Sequence, residues 1–276
     1  MAYPLRFPQD KPLVTVTRPS NGIWVIEMHN GADSRLSIPF IDGAMKPALD
    51  AIEADWRNSW RASAARKDKS GGKGAVIIVG NRSQDKFFSN GLDLEGLTKD
   101  PLYSLYFFPQ VFNPFVRRLL SFPLLTIAAI NGHCFAGGMM LALLCDYRVM
   151  TDGSQRNAWM CMNEIHLGLG YPHSFASLIR AKFPDVRVHR KIILEGHRFT
   201  ASEALQAGLI DYAASGNTEA VIAKAQEVAG SLNSLAASGT WGVTRAELYH
   251  DVIEASLKNT VTGSAAVEDA YARAKL

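Results

Sequence analysis

The chain has 276 residues, of which 47% are hydrophobic and 20% charged, a globular composition that argues against wholesale disorder and fibrous repeats and suits one large domain or a core with an appendage. Lys and Arg number 29 against 26 Asp and Glu, a net charge of +3, too weak to imply a nucleic-acid partner without a concentrated basic face. The longest apolar runs, LLTIAAI from Leu124 and MMLALLC from Met139, fall far short of the roughly 18 residues of a spanning helix, so no membrane span is expected.

The start, MAYPLRFPQDKP, lacks the apolar segment and small-residue cleavage site of a secretory signal. PLVTVTR and GIWVIEM carry β-branched or alternating residues around Pro19, Ser20, Asn21 and Gly22, and read as a hairpin. Ile38, Ile41, Met45, Leu49, Ile52 and Trp56 then recur at three- and four-residue spacing, which predicts a helix with Ser37 as cap and Pro39 in its first turn. From 57 to 73 the chain turns basic, small and Gly-rich and is expected to be a solvated surface excursion; SGGKG there fails the P-loop pattern. GAVIIVG from Gly74 and LLTIAAI ending at Ile130 read as strands covered on both faces. The text after Ile165 is mostly helical, with Thr200 and Glu203 at capping-box spacing. Strands alternating with helices and Gly-rich turns predict an α/β fold.

Cys134, Cys145 and Cys161 form no CxxC pair, which points away from a disulfide framework or cysteine zinc site and toward a reducing compartment. Of the histidines, no pair shows a zinc spacing with a carboxylate, so no metal site is expected. A GxSxG nucleophile elbow is also missing. Two loops carry the chemical signal. In FFSNGLDL a turn at Gly91 leads to Leu92 and Asp93, and in INGHCFAGGMMLALLCD a buried strand ends at Asn131 and Gly132, with Gly137 and Gly138 opening an apolar helix. Glycine lets backbone approach a ligand closely, and a helix start offers free N–H donors, so together the loops could hold an oxyanion. Either loop alone reads more readily as a plain strand-to-helix turn. Asp93 by itself reads as a turn or cap residue, and Asp146 as structural.

FSNGLDL, NGHCFAGG, NEIHLGL and GHRFTASEALQAGLID, in that order between about 12 and 212, resemble the enoyl-CoA hydratase and isomerase superfamily, the crotonase fold. The resemblance implies a ββα spiral core over 1–200 and a C-terminal helical oligomerisation region over 201–276. It implies an acyl-CoA thioester substrate, no separate cofactor since coenzyme A is part of the substrate, and backbone N–H groups of Leu92 and Gly137 as donors to the thioester oxygen. Arg35, near a family segment that meets the CoA adenine and phosphates, joins Asn90, Gly91, Asp93, Leu94 and Met140 as an expected substrate-binding residue; a plain surface arginine is the alternative for Arg35. Hydratases of the family have two glutamates. Here Met140 stands at one of those positions and only Glu164 is kept, among Met160, Met162, Ile165 and Leu167, an apolar setting that would raise its pKa.

One base suffices to move a double bond, and the motifs are most similar to single-glutamate, peroxisomal Δ3,Δ2-enoyl-CoA isomerases, with Glu164 as catalytic group. A hydratase or other acyl-CoA-transforming enzyme, and a non-catalytic acyl-CoA-binding protein, are the alternatives. The ending Ala274, Lys275, Leu276 is similar to the SKL address and implies a peroxisomal import receptor as partner and a peroxisomal location. The family usually forms trimers or pairs of trimers, so a homo-oligomer is expected, with Val221, Ile222, Val228, Leu232, Val252 and Ile253 facing neighbouring subunits.

Overall fold

A computed structural model describes residues 1–68, 71–99, 103–258 and 265–275. Its strands are β1 (Leu5–Phe7), β2 (Val14–Ser20), β3 (Ile23–Met28), β4 (Ala75–Val79), β5 (Phe87–Ser89), β6 (Leu125–Ile130), β7 (His133–Phe135), β8 (Tyr147–Thr151), β9 (Met160–Cys161) and β10 (Tyr212–Ala214). The large sheet runs β1-β2-β3-β4-β6-β8-β10, and a small one runs β5-β7-β9. The expected hairpin is β2–β3, antiparallel, with Val14 opposite Met28. From β3 to β10 the large sheet is parallel, and the small sheet is parallel throughout.

The chain winds through this arrangement as a repeated unit. A strand of the large sheet (β4, β6, β8) is followed by a strand of the small sheet (β5, β7, β9), and then by a helix: Leu94–Lys99, Gly137–Leu144, or the short turn Glu164–Leu167 leading to His173–Lys182. This is the ββα spiral the motifs imply. β4 and β6 read as unbroken apolar runs because both of their faces are covered. Val76, Ile78, Ala128 and Ile130 enter the main core, whereas Ala75, Ile77, Val79, Leu125, Ile127 and Ala129 enter a second core on the opposite face.

Two expectations are corrected. The helix that begins at Ser37, whose hydroxyl accepts from Phe40 N–H, passes through a π-helical turn at Ile41–Met45 and runs on as Lys46–Ala65, so half of the basic stretch from 57 is helical. Trp60 anchors that extension, packing partly buried on the core and donating to Ala237 O at 3.0 Å. Second, the late apolar positions are covered within this chain rather than left for a neighbour. Helix Thr218–Leu232 lays Val221, Ile222 and Val228 into the second core, with Leu232 packed at its margin. Val252 is fully buried in the main core with Ile253 beside it. The sheet also crosses the expected division at 200, because β10 pairs with β8. Leu276 of the expected address lies outside the described residues.

Candidate active site

The small sheet brings three chain segments to one edge. Its strands are parallel, with Ser89 opposite Cys134, Cys134 opposite Met160 and Phe135 opposite Cys161, so their C-terminal ends point the same way. Leu92 follows β5, Gly137 follows β7 and Glu164 follows β9, each within three residues. The β7 and β9 exits are tied by Ala136 N–H donating to Cys161 O at 2.7 Å.

Glycine lets the first two exits abut. Gly91 has φ +90°, and a Cβ there would lie 3.0 Å from Gly137 N and 2.8 Å from the Ala136 methyl. One on Gly138 would lie 2.4 Å from Ser89 O, and one on Gly137 would lie 3.3 Å from Leu92 N. Between them Ala136 takes φ 49°, ψ −124° as it turns from β7 into helix Gly137–Leu144, a backbone region that L-residues rarely enter and that clusters at functional sites. The amides of Leu92 and Gly137 therefore lie side by side, and among the described residues neither donates to a protein acceptor. Gly137 is the first residue of a wholly buried helix, so its N–H sits at the positive end of the helix dipole. The negative end of the same helix is met by cations: Arg148 Nη1 and Lys182 Nζ each donate to Cys145 O at 3.1 Å, and Arg245 Nη2 donates to Leu144 O.

Glu164 opens the short 3₁₀ turn Glu164–Leu167, which Gly168 ends with φ +67°. It is 9% exposed, and its Oε2 is buried with no hydrogen-bond partner among the described residues. Burial pushes its pKa up to about 7, and the neighbouring Tyr171 hydroxyl donates to Met162 O at 3.3 Å. Such a carboxyl can both take and return a proton near neutral pH. Met139, Met140, Met160 and Met162 are all buried in the same core, and Met140 supplies no acid or base.

The other expected site residues fall into two groups. Asn90 and Arg35 are engaged by protein: Asn90 Nδ2 donates to Asp33 Oδ2 at 2.9 Å, Arg35 Nε to the same oxygen at 2.9 Å, and Arg35 Nη1 to Leu92 O at 3.0 Å. Asp93 Oδ1 accepts from Gly96 N–H at 3.4 Å, as a helix cap does, and Leu94 begins helix Leu94–Lys99. Asp146 is structural: it accepts from Thr126 N–H and Oγ1 at 2.8 and 2.9 Å and pairs with Arg245. Sequence reasoning missed Asp33 and Tyr171, whose partners are distant or irregularly spaced and leave no periodic signal. Among the described residues no group of three or more His, Cys, Asp or Glu could hold a metal ion.

Comparison with known proteins fits this geometry. Residues 46–260 match the enoyl-CoA hydratase/isomerase family. Enoyl-CoA delta isomerase 2, peroxisomal, of Arabidopsis thaliana is 35% identical over 155 residues, covering 54% of this chain and 62% of that protein, less than two thirds of its length. Enoyl-CoA delta isomerase 3 of the same plant is 32% identical over 184 residues, covering 65% of this chain and 75% of its own. Among solved structures, an enoyl-CoA hydratase from Mycobacterium ulcerans superposes with a TM-score of 0.72 at 24% identity, over 88% of this chain and 94% of that one, a likeness of fold alone. A spiral with three parallel exits, paired backbone amides and a match over most of the chain place this protein in the enoyl-CoA hydratase/isomerase family.

Proposed function

We propose that the chain converts a 3-enoyl-CoA to the 2-trans-enoyl-CoA, with Glu164 as the sole proton carrier and the Leu92 and Gly137 N–H groups as an oxyanion hole. The observation that carries this reading is a buried carboxyl, with a pKa near 7, on the same sheet edge as two amides that donate to no protein acceptor among the described residues, while the position of a second carboxylate holds Met140. Relatives named as delta isomerases at 29–35% identity support it. Glu164, as carboxylate, takes a proton from carbon 2. The electron pair spreads onto the thioester oxygen, which the two amides hold, and the same proton returns at carbon 4 as the double bond shifts, so no group is oxidised or consumed. Hydration, by contrast, requires a water positioned and activated between two acid-base groups.

The test is product identification with a 3-enoyl-CoA and a 2-enoyl-CoA. The wild type should isomerise the first and hydrate the second little, and Glu164→Gln should lower isomerisation by roughly 10²- to 10⁴-fold, the range for a general acid-base group. Brisk hydration would replace this reading with that of a hydratase; CoA-ester binding without turnover would leave a non-catalytic binding protein. A homo-oligomer, and peroxisomal import through Ala274, Lys275 and Leu276, belong to the same proposal; the name of the first Arabidopsis relative supports the location, although human and rodent mitochondrial isomerases are similar too. A fluorescent protein fused ahead of the full chain should enter peroxisomes and should stay out when those three residues are deleted.

A further inference from the structure

Residues 33–36 lie along the loop that carries the Leu92 amide and are bonded to it repeatedly. Asn90 N–H donates to Asp33 O and Leu36 N–H to Gly91 O, both at 2.8 Å. Ser89 Oγ donates to Ser34 O at 2.7 Å, and Asn90 Nδ2 to Asp33 Oδ2 at 2.9 Å. Arg35 closes the set from the far side, with Nη1 on Leu92 O at 3.0 Å and Nε on Asp33 Oδ2 at 2.9 Å. Ser34, fully buried, takes φ 49° in the turn between Asp33 and Arg35, a conformation that persists only where surrounding structure imposes it.

The bonds fall on the peptide groups that flank the Leu92 nitrogen. The Leu92 N–H shares its peptide with Gly91 O, which Leu36 holds; the next carbonyl, Leu92 O, is held by Arg35. With both carbonyls fixed, the direction of the N–H is fixed, and the bond onto Gly91 O polarises the same peptide into a stronger donor. The Arg35 guanidinium gives two of its five N–H groups, Nε and one on Nη1, to a carboxylate and a carbonyl of the protein, so its own orientation is set by the loop it holds.

We propose that Arg35 is a positioning residue that aims the Leu92 amide at the developing oxyanion, rather than a contact for the CoA phosphates. The inference rests on the oxyanion reading above. A donor that is displaced loses most where negative charge is greatest, so the effect belongs in turnover rather than in ground-state binding.

The test uses Arg35→Met and Arg35→Lys in the full chain, with melting temperature, kcat and KM for a 3-enoyl-CoA. It adds the infrared C=O stretch of a bound, unreactive saturated acyl-CoA with a ¹³C-labelled thioester carbonyl. In the wild type the stretch should fall below its value in water as the amides pull charge onto the oxygen. Arg35→Met should lose much of that downshift and lower kcat by about 10- to 100-fold, with KM within about twofold of wild type. Arg35→Lys should fall between, because an ammonium cannot span both oxygens as the guanidinium does; it carries the comparison if the methionine variant does not fold. A wild-type downshift and kcat in the variants would overturn the proposal. So would a KM raised tenfold or more with the downshift intact, which would return Arg35 to the CoA. If the wild type shows no downshift, the oxyanion reading fails and this inference with it.

Discussion

Burying Glu164 has a consequence for stability that can be separated from its chemistry. Its pKa rises from 4.5 in the unfolded chain to about 7 in the fold, chiefly through burial, so between those values the folded state binds more protons than the unfolded state. Stability contributed by this group is therefore full below about pH 4.5 and is lost as pH rises to 7, on the order of 3 kcal/mol at about 1.4 kcal/mol per unit. Glu164→Gln removes the cost of the buried charge. It should be more stable than wild type at pH 8, with the difference shrinking to nothing near pH 4.5, read as the urea midpoint across that range. The same ionisation should limit turnover, with kcat/KM rising about tenfold per pH unit up to a break near 7. A variant no more stable than wild type at pH 8 would mean that the carboxylate is solvated and that its poise for proton transfer is illusory.

At the scale of the element, the turn from β7 into helix Gly137–Leu144 holds strain at one residue. Ala136, at φ 49° and ψ −124°, occupies a region costing an L-residue about 1–3 kcal/mol, while glycine would lose about 0.4–1 kcal/mol through a more flexible unfolded chain. Ala136→Gly should therefore gain about 1 kcal/mol in equilibrium unfolding, whereas Ala136→Val, with a branched Cβ in the same conformation, should lose stability. Elements of this kind set the limit of what the sequence could show. β4 and β6 were legible because strands covered on both faces leave unbroken apolar runs, and the Ser37 and Thr200 caps were legible because capping is local. β5, β7 and β9, which align the site, have only two or three residues each, too few for any periodicity. The helix past Trp56 was obscured because Trp60 finds its partner at Ala237, 177 positions away, while its neighbour Arg61 faces water. Leu92, Gly137 and Glu164 were reachable through motifs, but the bond from Arg35 to the Leu92 carbonyl joins residues 57 positions apart, and no spacing rule encodes it.

On the scale of the whole molecule, one side chain joins the C-terminal helices to the frame beneath the site. Arg245, on helix Trp241–Leu248 and 4% exposed, donates through Nη1 to Leu119 O at 2.9 Å and through Nη2 to Leu144 O, and its Nε lies 2.8 Å from Asp146 Oδ1. Those partners end helix Asn113–Leu120, end helix Gly137–Leu144 and, through the bonds of Asp146 to Thr126, hold β6. A guanidinium suits this place because its fixed fork donates to carbonyls at the negative ends of two helices while its charge pairs with Asp146. Removing Arg245 leaves the Asp146 carboxylate without its counter-charge, though still bonded to Thr126, and breaking a buried pair costs about 3–5 kcal/mol, so Arg245→Met should lower the unfolding free energy by up to that amount. Arg245→Lys should recover only part of it, since an ammonium cannot match the fork. Adding Asp146→Asn to Arg245→Met should cost less than the sum of the two single changes, because the double variant buries no unpaired charge, and coupling of this kind between residues in contact is measurable as about 0.5–3 kcal/mol. Strict additivity would mean that the pair does not interact, and that the C-terminal helices are held to the core by apolar packing around Val252 rather than by this charge.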